Sequence, residues 1–382
     1  MTPAPTNPFH FGDLALDESF TDRAAELKAL KADIRNGQNV AVIAPRRYGK
    51  SSLVRRAIRD LTRRGVLVAE VDLMKTPTKA KLAAKLARAI HTDIASTLFK
   101  AKDALRVFAN LRITPTITLD PDEGTYSFTF AAYQAEEDLD ATLERLLELP
   151  AQLAAERGKT VALFFDEFQE VVGIDPRLPA LMRAVFQEQP QVAHVYAGSK
   201  RDMMRRLFTD EHEPFYKSAR VLELGPIDPA HFEGFVRERF AATEKGIANA
   251  AAAGILAITR GHPHATQELA YALWEEVPHG FTATEDDLAR ALASVLRSEN
   301  AHFTLLWQNA SRAQRLVLQA LAAEPGRPLG TEYRTRFGLP PASTVQRALE
   351  ALVGNELVER RDDGSYAIAE PFLTEWVVRH GS

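Results

Sequence analysis

Cysteine is absent from the 382 residues. Its absence removes disulfides, thiolate zinc sites and cysteine nucleophiles together, and it fits a reducing compartment. Long apolar runs are missing as well. The longest, IANAAAAGILAI at 247–258, is half alanine and falls well short of the roughly 20 residues needed to span a bilayer. The opening MTPAPTNPFHFG has neither a basic n-region nor an apolar h-region, so no secretory leader is expected. Positive charge is not in excess: 47 Lys and Arg against 51 Asp and Glu give a formal net charge of −4. No overall basic field draws the chain onto nucleic acid, so any such binding needs a local patch. Internal repeats and low-complexity tracts are absent too. A soluble, cytoplasmic protein without a membrane partner is the expectation.

What is present is ordinary globular material. Hydrophobic residues make up 46% and charged residues 26%, enough for a sizeable core. The length suggests two or three domains. Residues 1–19 are Pro-rich and polar and read as an arm. TDRAAELKALKADIRNG (21–37) has helical spacing, with Thr21 or Asp22 as cap and Gly37 as stop. NVAVIA (39–44), VLVAEVDL (66–73), TVALFFDEFQE (160–170), VAHVYAGSKRD (192–202) and ARVLELGPI (219–227) read as strands. Helical stretches cover about 77–110 and 133–157. ITPTITLDPDEGTYSFTF (113–130) reads as an inserted hairpin, with Thr and Ile alternating up to a Pro-Asp-Glu-Gly turn. Beyond residue 227 no strand pattern appears for a long way, and helices are expected at 229–244, 247–259, 263–277 and 284–298. The last 80 or so residues read as helix, turn, helix and wing. Strands alternating with helices imply a parallel α/β sheet covered on both faces. The expected division is a core at 1–227, a helical segment at 228–300 and a winged helix at 301–382.

The chemistry concentrates in NVAVIAPRRYGKSSLVRRAI, residues 39–58. Ala44, Pro45, Arg46, Arg47, Tyr48, Gly49, Lys50, Ser51 and Ser52 keep the spacing of a phosphate-binding loop, with alanine where the first glycine usually stands. Backbone N–H groups must wrap the phosphates, so glycine is needed at 49. Lys50 reaches the β- and γ-phosphates and the Ser51 hydroxyl ligates Mg²⁺. The helix that follows points its positive end at the same place. A turn that merely contains Gly and Lys is the alternative, but the strand and helix that flank this one are those the loop requires. In VALFFDEFQE an apolar strand ends in Asp166 and Glu167. The first suits Mg²⁺ and the second a general base acting on water; a solvated acidic strand end is the blander reading. In VYAGSKRD, Ser199 could orient the water, while Lys200 and Arg201 could sense phosphate charge, or the segment could be a plain polar strand end.

Together, NPFHFG, FTDRAAEL, APRRYGKSSL, FFDEFQEV, AGSKRDMMRRLF, FYKSARVLELGPI, GHPHATQELAYAL and PFLTEW make the chain resemble an AAA+ ATPase, and within that group the archaeal-type ATPases related to STAND signalling proteins. The blocks span nearly the whole chain. The resemblance implies a P-loop ATPase sheet of strand order 5-1-4-3-2, ATP and Mg²⁺ as cofactors, a helical lid and a C-terminal winged helix. It makes Phe20 and Arg23 candidates for contact with base or ribose, and places His262 and Pro263 at the start of a lid helix over the nucleotide. That helix carries no sensor arginine; His262 or His264 could substitute, or be structural histidines. Arg201, Arg205, Arg206 and Arg220 are candidate sensors or arginine fingers, or else solvated charges.

In the winged helix the recognition helix is ASTVQRALEALVGN, where Arg347 is the good base-reading group. Arg360 and Arg361 on the wing could touch phosphates, but Asp362 and Asp363 follow directly. From Ser311 onward nine Arg face nine Asp and Glu, which argues against strong nonspecific DNA affinity. The expected function is Mg-dependent ATP binding and hydrolysis, with release of ADP, driving a switch or remodelling. Its partner is DNA through the winged helix, another protein, or further copies of the chain.

Overall fold

A computed structural model of the chain describes residues 6–12, 21, 23–74, 76–95, 98, 116–120, 125–129, 136–361 and 363–381. It divides into two compact units, one of residues 23–225 and one joining the first 22 residues to 226–382.

The first unit is built on a five-stranded parallel sheet. α1 (Ala24–Arg35) leads to β1 (Val40–Ile43), α2 (Lys50–Thr62), β2 (Leu67–Asp72) and α3 (Lys79–Ala89). A π-helical turn at 90–95 ends α3. β3 (Thr116–Asp120) and β4 (Thr125–Thr129) pair antiparallel as the expected hairpin. Then come α4 (Glu136–Arg157), β5 (Val161–Asp166), a 3-10 turn at 168–170, α5 (Val171–Ile174), α6 (Leu178–Phe186), β6 (Val192–Gly198), α7 (Arg201–Thr209) and β7 (Arg220–Glu223). The sheet runs β2-β5-β6-β1-β7. Counting only its own strands in chain order, that is 2-3-4-1-5, the expected order read from the other edge. β1 and β6 are buried at every position and β5 at all but Asp166. Their continuous apolar runs follow from cover on both faces. The edge strands β2 and β7 are less buried.

The α1 cap differs from the expectation. The residue before the helix is Arg23, at φ 146° and with no side-chain cap, instead of Thr21 or Asp22. Arg23 is only 6% exposed. Its guanidinium donates to the Gly225 carbonyl at 2.6 Å and the Tyr48 carbonyl at 3.4 Å, and pairs with Glu26 at 3.2 Å. The side chain thus does its bonding sideways, into backbone, instead of along the helix axis.

The second unit contains α8 (Pro229–Ala241), β8 (Gly246–Ile247), α9 (Asn249–Thr259), α10 (Pro263–Glu276), β9 (Thr282–Ala283), α11 (Glu285–Asn309), α12 (Arg312–Ala323), α13 (Thr331–Arg336), α14 (Ala342–Gly354), β10 (Val358–Arg360), β11 (Tyr366–Ile368) and α15 (Pro371–His380). β8 and β9 are strands where none was expected; at two residues each they are too short to leave a pattern. α11 crosses the expected boundary at residue 300. Leu288, Leu292, Val295, Leu296 and Phe303 carry one buried stripe along it, so no signal stops the helix there. A single apolar core takes in Phe232, Leu269, Trp274, Phe303, Leu349, Phe372 and Trp376. Phe9, in the expected N-terminal arm, is fully buried in it, with its ring centroid 5.4 Å from that of Phe240. Asn7 donates to the Tyr271 carbonyl at 3.2 Å and to Glu275 at 2.8 Å. Asn7 and Phe9 therefore pack within this unit. Among the described residues no helix is long and apolar enough to cross a membrane.

Candidate active site

All five sheet strands are parallel, so their C-terminal ends share one edge, where ligands of open α/β sheets bind. Register brings Ile43 beside Gly198 and Glu223, and Asp72 beside Asp166. Ala44 is fully buried and donates its N–H to the Gly198 carbonyl at 3.3 Å. A methyl group is accepted there because the position still belongs to the core. The chain then turns through exposed Arg46 and Arg47, the latter at φ 64°, to buried Tyr48. Gly49 adopts φ 81°, a left-handed conformation that disfavours any side chain. Nothing lies within 4 Å of a Cβ built on it. α2 begins at the next residue with no side chain capping its first N–H groups. Uncapped donors and the positive end of the helix dipole at one spot suit an anion.

Lys50 meets the acidic strand end here. Its Nζ lies 2.9 Å from Asp166 Oδ1 and 2.7 Å from Glu167 Oε1, with the ammonium side chain only 7% exposed. The other Glu167 oxygen, Oε2, accepts from Ser199 Oγ at 2.7 Å, from the Ser199 N–H at 3.3 Å and from Gln169 Nε2 at 2.6 Å. Glu167 itself sits at φ 51°, where a non-glycine residue stores about 1 kcal/mol or more. Phe168 holds the turn. Its ring is fully buried, 4.6 Å from the Tyr196 ring and 5.2 Å from that of Phe215. Burying such a ring contributes about 1.5–3 kcal/mol, enough to offset the strained residue before it. Burial pushes the Glu167 carboxyl up; the Lys50 charge and hydrogen bond, with the Gln169 and Ser199 donors, outweigh it and hold it at about 2.

Two carboxylates against one ammonium leave a negative charge uncompensated at this edge, which fits a divalent cation. Among the described residues no group of three or more His, Asp or Glu could cage a metal alone. Mg²⁺ bound with a nucleotide takes one or two protein oxygens and draws its remaining ligands from phosphates and water. The Asp166 carboxylate and the Ser51 hydroxyl, in the first turn of α2, are of that type.

The other expected residues fall elsewhere. Phe20 lies outside the described residues. Arg23 spends its guanidinium on the carbonyls of Tyr48 and Gly225, bracing the loop from behind. His262 is the N-cap of α10, its Nδ1 accepting from the Ala265 N–H at 3.2 Å, and Pro263 is the first residue of that helix. His264 pairs with Glu268 at 3.4 Å. His262 and Pro263 thus start a helix of the second unit.

Each candidate sensor or finger has a carboxylate partner in its own chain. Arg201 lies 3.7 Å from Glu223, Arg205 Nε 2.7 Å from Glu223 Oε1, Arg206 2.6 Å from Glu213 and Arg220 2.6 Å from Asp33. Lys200 pairs with Glu170 at 2.8 Å. Arg347, on α14, is exposed, with its Nε 3.4 Å from the Ser343 carbonyl; Arg360 and Arg361 are exposed on the wing.

Sequence reasoning passed over Gln169 and Glu223. Both stood inside quoted motifs, DEFQE and VLELG, as polar residues at the end of an apolar strand. That was the only signal available.

A family model for an ATPase domain predominantly from Archaea matches residues 20–269, and one for a probable winged helix domain matches 301–379. The fold resembles the Walker-type ATPase paby2304 of Pyrococcus abyssi at 18% identity, TM-score 0.65, over 97% of this chain and 99% of that one. It also resembles the ORC2 protein of Aeropyrum pernix in its ADPNP-ADP complexes, at 14% identity and TM-score 0.54, over 98% and 96% of the two chains. Among curated proteins nothing matches.

Proposed function

The chain belongs to the family of ATPase domains found predominantly in Archaea and is an ATPase, and from that premise we propose which residues carry out the hydrolysis and what it serves. The observation that carries the reading is the buried contact of Lys50 with both Asp166 and Glu167, with Ser199 on the far oxygen of Glu167. The triphosphate lies on the loop from Ala44 to Ser52, against the N–H groups at the start of α2. Its charge competes with the two carboxylates for Lys50. Drawn to the β- and γ-phosphates, Lys50 gives up its hold on Glu167 Oε1. Glu167 then loses the cation that keeps its carboxyl low and becomes a better base for water. Ser199 keeps the carboxylate in place. Asp166 and Ser51 would hold Mg²⁺, which would supply positive charge to offset that of the phosphate oxygens. The γ-phosphate is thus the group whose presence or absence changes the partners of Lys50, the difference a switch needs.

Glu167→Gln tests this directly. It is expected to lower steady-state ATP turnover by about 10²–10⁴-fold while Mg-ATP binding is kept. Equal rates in the two proteins would remove Glu167 as the base.

The use of the switch follows from the winged helix. We take the helical segment 228–300 as a lid and 301–382 as the effector, which remodels or regulates a partner. DNA is the partner the exposed Arg347, Arg360 and Arg361 favour. Duplex binding that weakens steeply between 50 and 200 mM salt, and weakens further in Arg347→Ala, would support it. No binding at low salt would leave a STAND-like switch with a protein partner.

A further inference from the structure

Gln169 is 1% exposed, yet it is not an apolar core residue. Its amide nitrogen donates to Glu167 Oε2 at 2.6 Å. Its amide oxygen has no hydrogen-bond partner among the described residues. A buried amide left half satisfied costs about 1–3 kcal/mol, and leucine or methionine would fill the same place without that cost. The neighbourhood is also shaped around it. Gly198, at the end of β6, has ordinary negative φ, so its backbone would accept a side chain. A Cβ built there, however, would lie 2.4 Å from Gln169 Oε1 and 2.4 Å from Met204 Sδ. The glycine leaves room for the amide, and the amide is aimed at one oxygen of one carboxylate.

The two oxygens of Glu167 are therefore not equivalent. Oε2 receives three donors, from Gln169, the Ser199 hydroxyl and the Ser199 N–H. Among the described residues, Oε1 receives only Lys50. We propose that Gln169 is a positioning residue for Glu167: with Ser199 it anchors Oε2, so that Oε1 is the oxygen that faces the phosphate loop and takes the proton from water. The proposal rests on Glu167 being the base. It adds which oxygen acts and what holds it there. Three donors on one oxygen fix both carboxylate dihedrals, whereas Ser199 alone would leave the group free to swing when Lys50 departs.

The test uses the full chain with Gln169→Met, which keeps length and volume and removes the donor. Turnover at saturating Mg-ATP is expected to fall about 10–100-fold, the size of effect seen when a supporting hydrogen bond to a functional group is removed, with KM for ATP unchanged. The acid limb of the kcat–pH profile should move to higher pH, because the carboxylate has lost a donor. A second readout needs no nucleotide: the ¹³C carboxyl resonance of Glu167 should titrate at higher pH in the variant than in the parent. A role in packing alone would lower thermal stability and leave both pH midpoints where they are, and that result overturns the proposal. If the methionine variant does not fold, Gln169→Asn keeps the polarity and loses the reach, and the same outcomes apply. Glu167→Gln, run alongside, separates the two claims. Parental turnover in that protein defeats the base assignment; lost turnover there, with unchanged kcat and pH midpoints in Gln169→Met, defeats only the role of Gln169.

Discussion

On either side of the phosphate-loop strand β1, cations meet carboxylates at the same edge of the sheet, and the two meetings differ in burial. Toward β5, Lys50 is 7% exposed and its partners Asp166 and Glu167 are 23% and 14% exposed. Toward β7, Glu223 is 34% exposed, with Arg205 at 32% and Arg201 at 25%. Water can replace a lost partner in the second cluster but not in the first. An exposed pair contributes about 0–1 kcal/mol, while breaking a buried one costs about 3–5 kcal/mol because a charge is stranded. Only the first cluster therefore responds strongly when an anion arrives and takes the lysine.

The sharpest way to break the comparison is Lys50→Ala. It should abolish measurable ATP binding and lower turnover by at least about 10²–10³-fold, the loss found when one charged stabiliser of a transition state is removed. Normal ATP affinity in an equilibrium binding assay would sink the phosphate-loop assignment. A pH titration of stability comes next. Glu167 is held at about 2 in the folded chain against an ordinary value of 4.5. Its contribution is fully present above pH 4.5 and is lost as pH falls toward 2. Acid unfolding of Glu167→Gln, without nucleotide, should show a loss over that window smaller by on the order of 2 kcal/mol. An identical acid limb in the two proteins would mean that the Lys50 contact does not hold in solution.

Arg23→Ala removes a buried guanidinium from two carbonyls and should cost about 1–3 kcal/mol in chemical denaturation. Arg23 touches the loop through the Tyr48 carbonyl at 3.4 Å, so KM for ATP should rise less than it does for Lys50→Ala. The smallest effect belongs to the exposed cluster: Arg205→Ala should change stability by less than about 1 kcal/mol and leave turnover within a few-fold. A larger turnover loss would show that Arg205 leaves Glu223 to serve a neighbouring subunit. Light scattering with Mg-ATP would then find an assembly of several chains.

The legible part of the site was the part with local spacing. A four-residue buried strand, a turn with glycine at 49 and a lysine on the first turn of a helix lie within one stretch, and their chemistry can be worked out from neighbours in sequence. Asp166 and Glu167 were legible for a related reason, since an apolar strand that ends in two acids changes character abruptly. The carbonyl partners of Arg23, on Gly225 and Tyr48, lie 202 and 25 residues away, so nothing near it in sequence says that its charge is spent on backbone. His262 stayed open between a ligand and a structural residue because a cap and a ligand use the same ring nitrogen. The boundary expected at 300 falls inside α11, whose apolar stripe continues across it. The arm failed because one phenylalanine, Phe9, is too little pattern to announce a buried segment.

Sequence by itself determined the strands of the five-stranded sheet, their order through the resemblance they carry, the phosphate loop and the two acids at the end of β5. Apart from the strand order, each depends on periodicity or on spacing within about ten residues, and such signals survive without knowledge of the fold. Tertiary structure alone decided which cations are sealed and which are wet, which oxygen of Glu167 is gripped, why position 198 is glycine, and where Arg23 points. Those facts depend on strand register, which aligns Ile43 with Gly198 and Glu223, and on burial, which sets how strongly each charge needs its partner. Neither can be computed from neighbours along the chain.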